Sequence, residues 1–323
     1  MSRSILSGVA ALIAAAAPVN GQSLAARVTQ APDGVVRMEV PSRAGTCGDG
    51  RDMIGYRDAL FARNFQSIGG RWSETRCAPG PLRISLTVAA GDVRDLRTQV
   101  GGEWLPTGAR VTDLGVVPPA EASAYLFTLV PRLEGGRLKD RLLIPAVLAD
   151  AGPITQPLFA LVEDTRRTDD TRRSAVLWLG LLGERDAFAR LRDYFSRIDD
   201  GMKDAILHAM SLDEVDGGRW LIARTLDERE TRKVRKSAFF WAGQREETPT
   251  PELVRVYRAF RDQDLREHGI FVLSQRKDDA AIEELMRIAR EDRDTDMRGK
   301  ALFLLAQNDD PRVRKLLADL ILK

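Results

Sequence analysis

A mainly α chain is predicted, with a C-terminal α-solenoid of stacked helix pairs preceded by a small antiparallel β domain. Three observations predict it. The stretch Arg235-Lys-Ser-Ala-Phe-Phe-Trp-Ala-Gly-Gln244 recurs in degraded form through the C-terminal half. Residues 28–118 instead alternate large apolar and polar positions, as half-buried strands do. The only two cysteines, Cys47 and Cys77, both fall in that alternating region.

From the N-terminus, residues 1–21 read as an export signal. Arg3 supplies a positive start, Ile5 to Ala17 is an alanine-rich apolar run, and small residues follow up to Gly21. The run is too short for a permanent membrane span, and no second long apolar stretch exists. An exported protein, periplasmic or secreted, is expected. The remainder is long enough for two domains. Its charge is nearly balanced, 49 basic against 47 acidic residues, with no basic block. That argues against a nucleic-acid partner.

Val35–Val40, Leu82–Val88, Val93–Val100 and Val111–Val117 are the strand candidates, bracketed by Gly91-Asp92, Gly101-Gly102 and Pro118-Pro119. In an exported chain an even cysteine count favours a disulfide between Cys47 and Cys77. It would restrict the unfolded chain by roughly 3–4 kcal/mol. Two cysteines without a nearby histidine make a poor zinc site, and no metal is expected. Gly45-Thr-Cys-Gly-Asp-Gly50 lacks the phosphate-loop spacings and reads as a tight turn presenting Cys47, with Asp49, Arg51 and Asp52 as solvated turn residues.

From residue 119 to 323 the pattern is helical, about six helix pairs including caps. Ala120–Arg132 and Leu138–Ala149 form an atypical first pair; Pro311–Lys323 closes the array. The small residues Ala175, Ala205, Ala238, Gly269 and Ala301 anchor five copies, at steps of 30, 33, 31 and 32 residues. Such a period marks a stacked array. Asp170, Asp200, Asp264 and Asp296 are expected to cap the second helix of their units. At the next repeat position stand Arg172, Met202, Arg235, Arg266 and Arg298, and where an Asp lies two places before the Arg the two would pair along the stack as a charge ladder. His208 is aligned with Trp178 and Trp241, and Trp241 is expected well buried between units.

The Asp170-Thr-Arg-Arg-Ser-Ala175 and Asp296-Met-Arg-Gly-Lys-Ala301 patterns, followed by Leu179-Gly180 or Leu305-Ala306, resemble the HEAT-repeat family. The likeness is to the short HEAT-like units that also occur in phycobilisome lyases. Phe240-Trp241-Ala242-Gly243-Gln244 resembles exported bacterial HEAT-repeat proteins. The resemblance covers roughly residues 140–323 and implies a scaffold or binding surface.

Two places after the anchors stand Leu177, Leu207, Phe240, Phe271 and Phe303, and four further on Leu181, Ser211, Gln244, Gln275 and Gln307. Leu177, Phe240, Gln244, Phe271, Gln275, Phe303 and Gln307 are the candidate binding residues. Aligned aromatics with amides beside them suit an extended peptide or protein partner. The same aromatics could instead be core, or lie under the β domain. No catalytic residue or cofactor is expected. Asp292-Arg-Asp-Thr-Asp296 starts like a calcium loop, but Met297 stands where glycine is needed. His208 and His268 lie in different units, and no nucleophile–base motif is present. The expected function is a non-catalytic interaction module. The alternative is a ligand-binding or enzymatic β domain with the helices as its targeting arm.

Overall fold

The computed structural model describes residues 22–57, 59–62, 65–68, 77–135 and 141–321. The export signal and Leu138–Asp140 of the expected first helix pair lie outside them. The chain is mainly helical, with a small mixed β region on its N-terminal side.

The first sheet has the order β8-β7-β1-β9, with β1 (Gly34–Val40), β7 (Leu82–Ala89), β8 (Asp92–Val100) and β9 (Val111–Val116). All four expected strands are there. Alternation sends Val36, Met38, Val40, Leu82, Ile84 and Leu86 fully inward. Outward, Arg37 meets Asp113 at 2.9 Å and Arg83 meets Glu39 at 3.3 Å. The sheet is not wholly antiparallel: β9 pairs parallel to β1. Residues 101–110 carry the chain back past β7 to the far edge of β1, and a parallel pair requires such a crossover.

A second sheet, β5-β4-β3-β2-β6, is antiparallel throughout. It comprises β2 (Thr46–Gly48), β3 (Ile54–Tyr56), β4 (Ala59–Ala62), β5 (Phe65–Ile68) and β6 (Ala78–Pro79). The middle of the glycine-dense patch, Thr46–Gly48, is therefore a strand carrying Cys47, with a turn at Gly45 and a bend at Gly50 on either side. Cys47 sits in the middle of β2, bonded to Cys77 with Cα atoms 5.0 Å apart. Asp49 closes the following turn by accepting from the Arg51 and Met53 amides. The two sheets meet where Gly50 faces Gly102. A Cβ on either would come within 2.8 Å of the other's backbone, and both have positive φ. The buried Gln99 amide donates to the Gly50, Gly101 and Glu103 carbonyls and fastens this junction.

A helix that alternation does not announce, α1 (Leu24–Thr29), packs on α2 (Pro119–Leu133) through Glu121. After α3 (Leu143–Leu148) come five helix pairs. They are α4 (Thr155–Glu163) with α5 (Asp169–Leu182), α6 (Arg185–Phe195) with α7 (Asp200–Met210) and α8 (Gly217–Leu226) with α9 (Arg232–Gln244). The last two are α10 (Thr250–Ala259) with α11 (Gln263–Ser274) and α12 (Asp279–Glu291) with α13 (Thr295–Leu305). α14 (Pro311–Ile321) packs on α12. The second helices form a row: α5 against α7, α7 against α9, α9 against α11 and α11 against α13.

The caps correct the register of the repeat. The side chains of Thr168, Asp199, Thr231, Asp262 and Asp294 accept the first-turn amides. The expected caps Asp170, Asp200, Asp264 and Asp296 lie one or two residues inside their helices, where a carboxylate favours the dipole. Counting from the true caps places Lys203 where the others have arginine, and Ile206 rather than Ala205 at the anchor. Ile206 is fully buried while Ala205 is half-buried. The second unit is thus shifted by one residue from the expected alignment.

The arginines do not form the expected ladder. Nε of Arg172 donates to the Val162 carbonyl at 3.0 Å, and Nε of Arg235 to Thr225 at 2.9 Å. Arg298 reaches the Asp292 carbonyl at 2.7 Å. Each ties off a carbonyl that the preceding first helix leaves orphaned at its C-terminal end. Among the described residues Arg266 is the one of the four that bonds a carboxylate of the next unit, Asp292, while Arg172 also meets Asp169 of its own helix at 3.7 Å. Charges do bridge neighbouring units, through other residues: Arg232 to Asp264 at 2.6 Å, Lys300 to Glu267, and Arg312 to Asp279 at 2.6 Å.

Candidate functional site: an apolar strip on the second helices

With the register set by the caps, one position runs along the second helices as Leu177, His208, Phe240, Phe271 and Phe303. Leu207, expected there, is instead fully buried. Leu177, His208 and Phe240 are half-buried; Phe271 is 38% and Phe303 68% exposed. Four residues on, one helical turn along the same face, stand Leu181, Leu212, Gln244, Gln275 and Gln307. The three glutamines are exposed, whereas Leu181 is buried. The strip therefore opens progressively toward the C-terminus.

The closed end has a visible cause. Tyr56 of β3 and Phe61 of β4 lie over Trp178 of α5, with ring centroids 6.1 and 5.0 Å away. Nη1 of Arg57 lies 2.7 Å from where a Cβ on Gly183 would project. Ser42 bridges Ala149, and the Arg43 side chain donates to the Val147 and Gly152 carbonyls. So the β region covers the first unit, and Trp178 is 1% exposed. In the last two units Phe271 and Phe303 are open.

In the middle, His208 lies flat on Trp241, centroids 3.9 Å apart and 6° between planes. Trp241 also meets Phe240 edge-on at 5.1 Å. Trp241 is half-buried, not well buried as expected, because the second unit offers it an imidazole face rather than a closed pocket. Burial lowers the His208 pKa to about 4 against a smaller opposing effect of Asp204, so the ring is neutral at pH 7. His268 is likewise pushed down by burial, and its Nε2 lies 2.9 Å from the Lys236 carbonyl. The His208 ring packs on Trp241, and the His268 ring packs and hydrogen-bonds.

The His208–Trp241 stack escaped the sequence reading because the misplaced register put the two residues in one column. The cap spacing of 31 or 32 residues would have revealed it. Asp292 and Asp294, the start of the calcium-like run, are the C-cap of α12 and the N-cap of α13.

Fold and site together define a mainly helical protein with a small mixed β region and an apolar, amide-edged strip. No family model matches the chain. No curated protein matches it. Among solved structures, the complex of CpcE and CpcF of phycocyanin lyase from Nostoc sp. PCC7120 contains a chain that aligns with 68% of this one and 97% of its own length. The identity is 18% and the TM-score 0.24, so nothing about the role of this chain follows from that likeness.

Proposed function

We propose that the chain is an exported scaffold whose helix pairs form a HEAT-like solenoid, holding a protein or peptide partner on the second-helix strip without a catalytic role. The observation that carries this reading is the exposure of Phe271 and Phe303, in line with Phe240 and each followed by an exposed glutamine. Burying two or three aromatics together is the usual core of a binding patch. Neighbouring helices pack about 8–10 Å apart, and three residues of a polyproline-type chain advance about 9 Å. Every third residue of such a chain returns to the same face. An extended segment with an apolar side chain at every third place therefore matches the step of Phe240, Phe271 and Phe303. The Gln244, Gln275 and Gln307 amides both donate and accept, which suits its main chain.

The open aromatic area is on the order of 200 Å², worth at most about 5 kcal/mol before the costs of association. The expected complex is accordingly transient, micromolar or weaker.

A photo-crosslinking residue placed at 303 or 307, and at the exposed Arg255 of α10 as a control, tests the reading in the native host. A specific adduct at 303 or 307, absent at 255 and abolished by Phe271→Ser, supports it. Equal labelling at 255 sinks it. For export, N-terminal sequencing should find the mature protein beginning near residue 22; a chain that retains Met1 in the cytoplasm removes that part of the proposal.

A further inference from the structure

A cleft of about 300 Å³ opens where the C-terminal ends of α10 and α12 meet the first turns of α11. Arg258, Arg261, Arg266 and Arg287 line it, with Tyr257 and Asp292. Their charges do not cancel. Glu284, almost wholly buried, accepts from Arg258 at 2.5 and 3.1 Å and from Arg287 at 2.7 and 3.0 Å. Burial pushes the Glu284 carboxyl up, but those guanidiniums outweigh it and hold it below its ordinary range. One carboxylate thus faces two guanidiniums. Asp292 is matched by Arg266. Arg261 makes no hydrogen bond or ion pair among the described residues. Arg258, Arg261, Arg266 and Arg287 against Glu284 and Asp292 leave two positive charges at the cleft, with the Glu291 carboxylate also acting on Arg287.

A second observation points the same way. Tyr257 is 3% exposed, yet its hydroxyl has no hydrogen-bond partner among the described residues. The polar group beside it is the Arg266 guanidinium, which can only donate, so the hydroxyl proton has no acceptor among the described residues. Buried hydroxyls are normally satisfied, so an orphan one lining a basic cleft marks an absent acceptor. Burial raises the Tyr257 pKa, which keeps the hydroxyl a donor at neutral pH.

We propose that this cleft binds a phosphate group, free or esterified, with the four arginines as its cradle and the Tyr257 hydroxyl as a further donor. Guanidinium forks match phosphate oxygens in geometry as well as charge, and two surplus charges equal those of a phosphate dianion. The site is separate from the aromatic strip and does not depend on it.

Titration of the full chain with inorganic phosphate by calorimetry, at about pH 8 so that phosphate is doubly charged, tests the assignment. Thermal unfolding against chloride at equal ionic strength runs in parallel. Phosphate also stabilises proteins generally through exclusion from their surfaces, so the comparison with variants decides. Arg261→Ala removes an exposed, unpartnered side chain and should weaken phosphate binding by about tenfold or more. Tyr257→Phe should weaken it too while leaving the phosphate-free protein at least as stable. Tighter binding of glycerol 3-phosphate than of inorganic phosphate assigns the site to esters, and equal binding to the free anion. The proposal is overturned by the absence of phosphate binding, by undiminished binding in Arg261→Ala, or by succinate binding as well as phosphate. Should Tyr257→Phe fail to fold, Arg261→Ala decides alone.

Discussion

The first and last repeats put similar residues in equivalent places and give them opposite surroundings. In α5, Leu177 is half-buried and Trp178 lies stacked beneath Phe61. In α13, Phe303 at the position of Leu177 is 68% exposed, and Leu304 at that of Trp178 is half-buried. The difference comes from the neighbours. β3 and β4 lie over α5, whereas α13 ends the row of second helices among the described residues and α14 packs on α12. The repeat fixes which way a side chain points, and the next layer decides whether that direction is inside.

The largest way to break this comparison is Trp178→Ala. Truncating a fully buried tryptophan costs about 3–5 kcal/mol. The half-buried Trp241, with a histidine face as its cover, should lose roughly half as much on the same change. Urea unfolding followed by far-ultraviolet dichroism compares the two. Equal losses would mean that the β region does not bury the first unit. Replacing Cys47 and Cys77 together by alanine comes next, at roughly 3–4 kcal/mol on the loop-entropy account. That loss should centre on the sheet carrying Tyr56 and Phe61. Hydrogen exchange should therefore rise in residues 46–62 and 78–79 and at the covered end of α5, and stay unchanged in α11 to α13. Uniform loosening of the whole chain would contradict it.

A smaller effect sharpens the middle of the stack. The folded His208 pKa of about 4 lies below its ordinary value of 6.5. Between those values the unfolded chain binds the proton and the folded one does not, so stability falls as pH drops from about 6.5 to about 4. Above about 6.5 the histidine contributes no pH dependence. The span of the fall is on the order of 2 kcal/mol. His268, also pushed down, acts in the same direction. His208→Phe keeps a ring against Trp241 and should flatten much of that slope in denaturant titrations across this range. An unchanged slope would place the titration elsewhere.

The repeat was legible because caps, inward arginines and small anchors recur at nearly constant steps, each demanded by helix ends or close packing. Unit two was misread for a local reason. Ile206 fills the place taken by a small residue elsewhere, and Ala205 beside it imitates the anchor. The second sheet was illegible because its strands run two to four residues, too short for alternation to register. The parallel pairing of β9 depends on where residues 101–110 carry the chain, which no local pattern encodes. The strip itself could be read as a column, but its opening could not. Phe239, Phe240 and Phe303 are the same residue type in the same repeat pattern; the first is fully buried, the second half-buried and the third open.

The smallest expected stability effect is therefore the most informative about function. Phe303→Ser removes a side chain that is 68% exposed and should change folding stability by no more than about 0.5 kcal/mol. Phe239→Ser, two units earlier and one residue before the strip position, is fully buried and should cost several times more, on the order of 3–5 kcal/mol. If the open phenylalanine existed only to support α13, the two substitutions would differ in degree and neither would change binding separately from folding. If it serves a partner, Phe303→Ser should leave the unfolding curve unchanged and remove the adduct formed by a crosslinker at 307. Loss of stability from Phe303→Ser comparable to that from Phe239→Ser would mean that something covers the strip in solution. An unchanged curve with an unchanged adduct would mean that the partner does not use it.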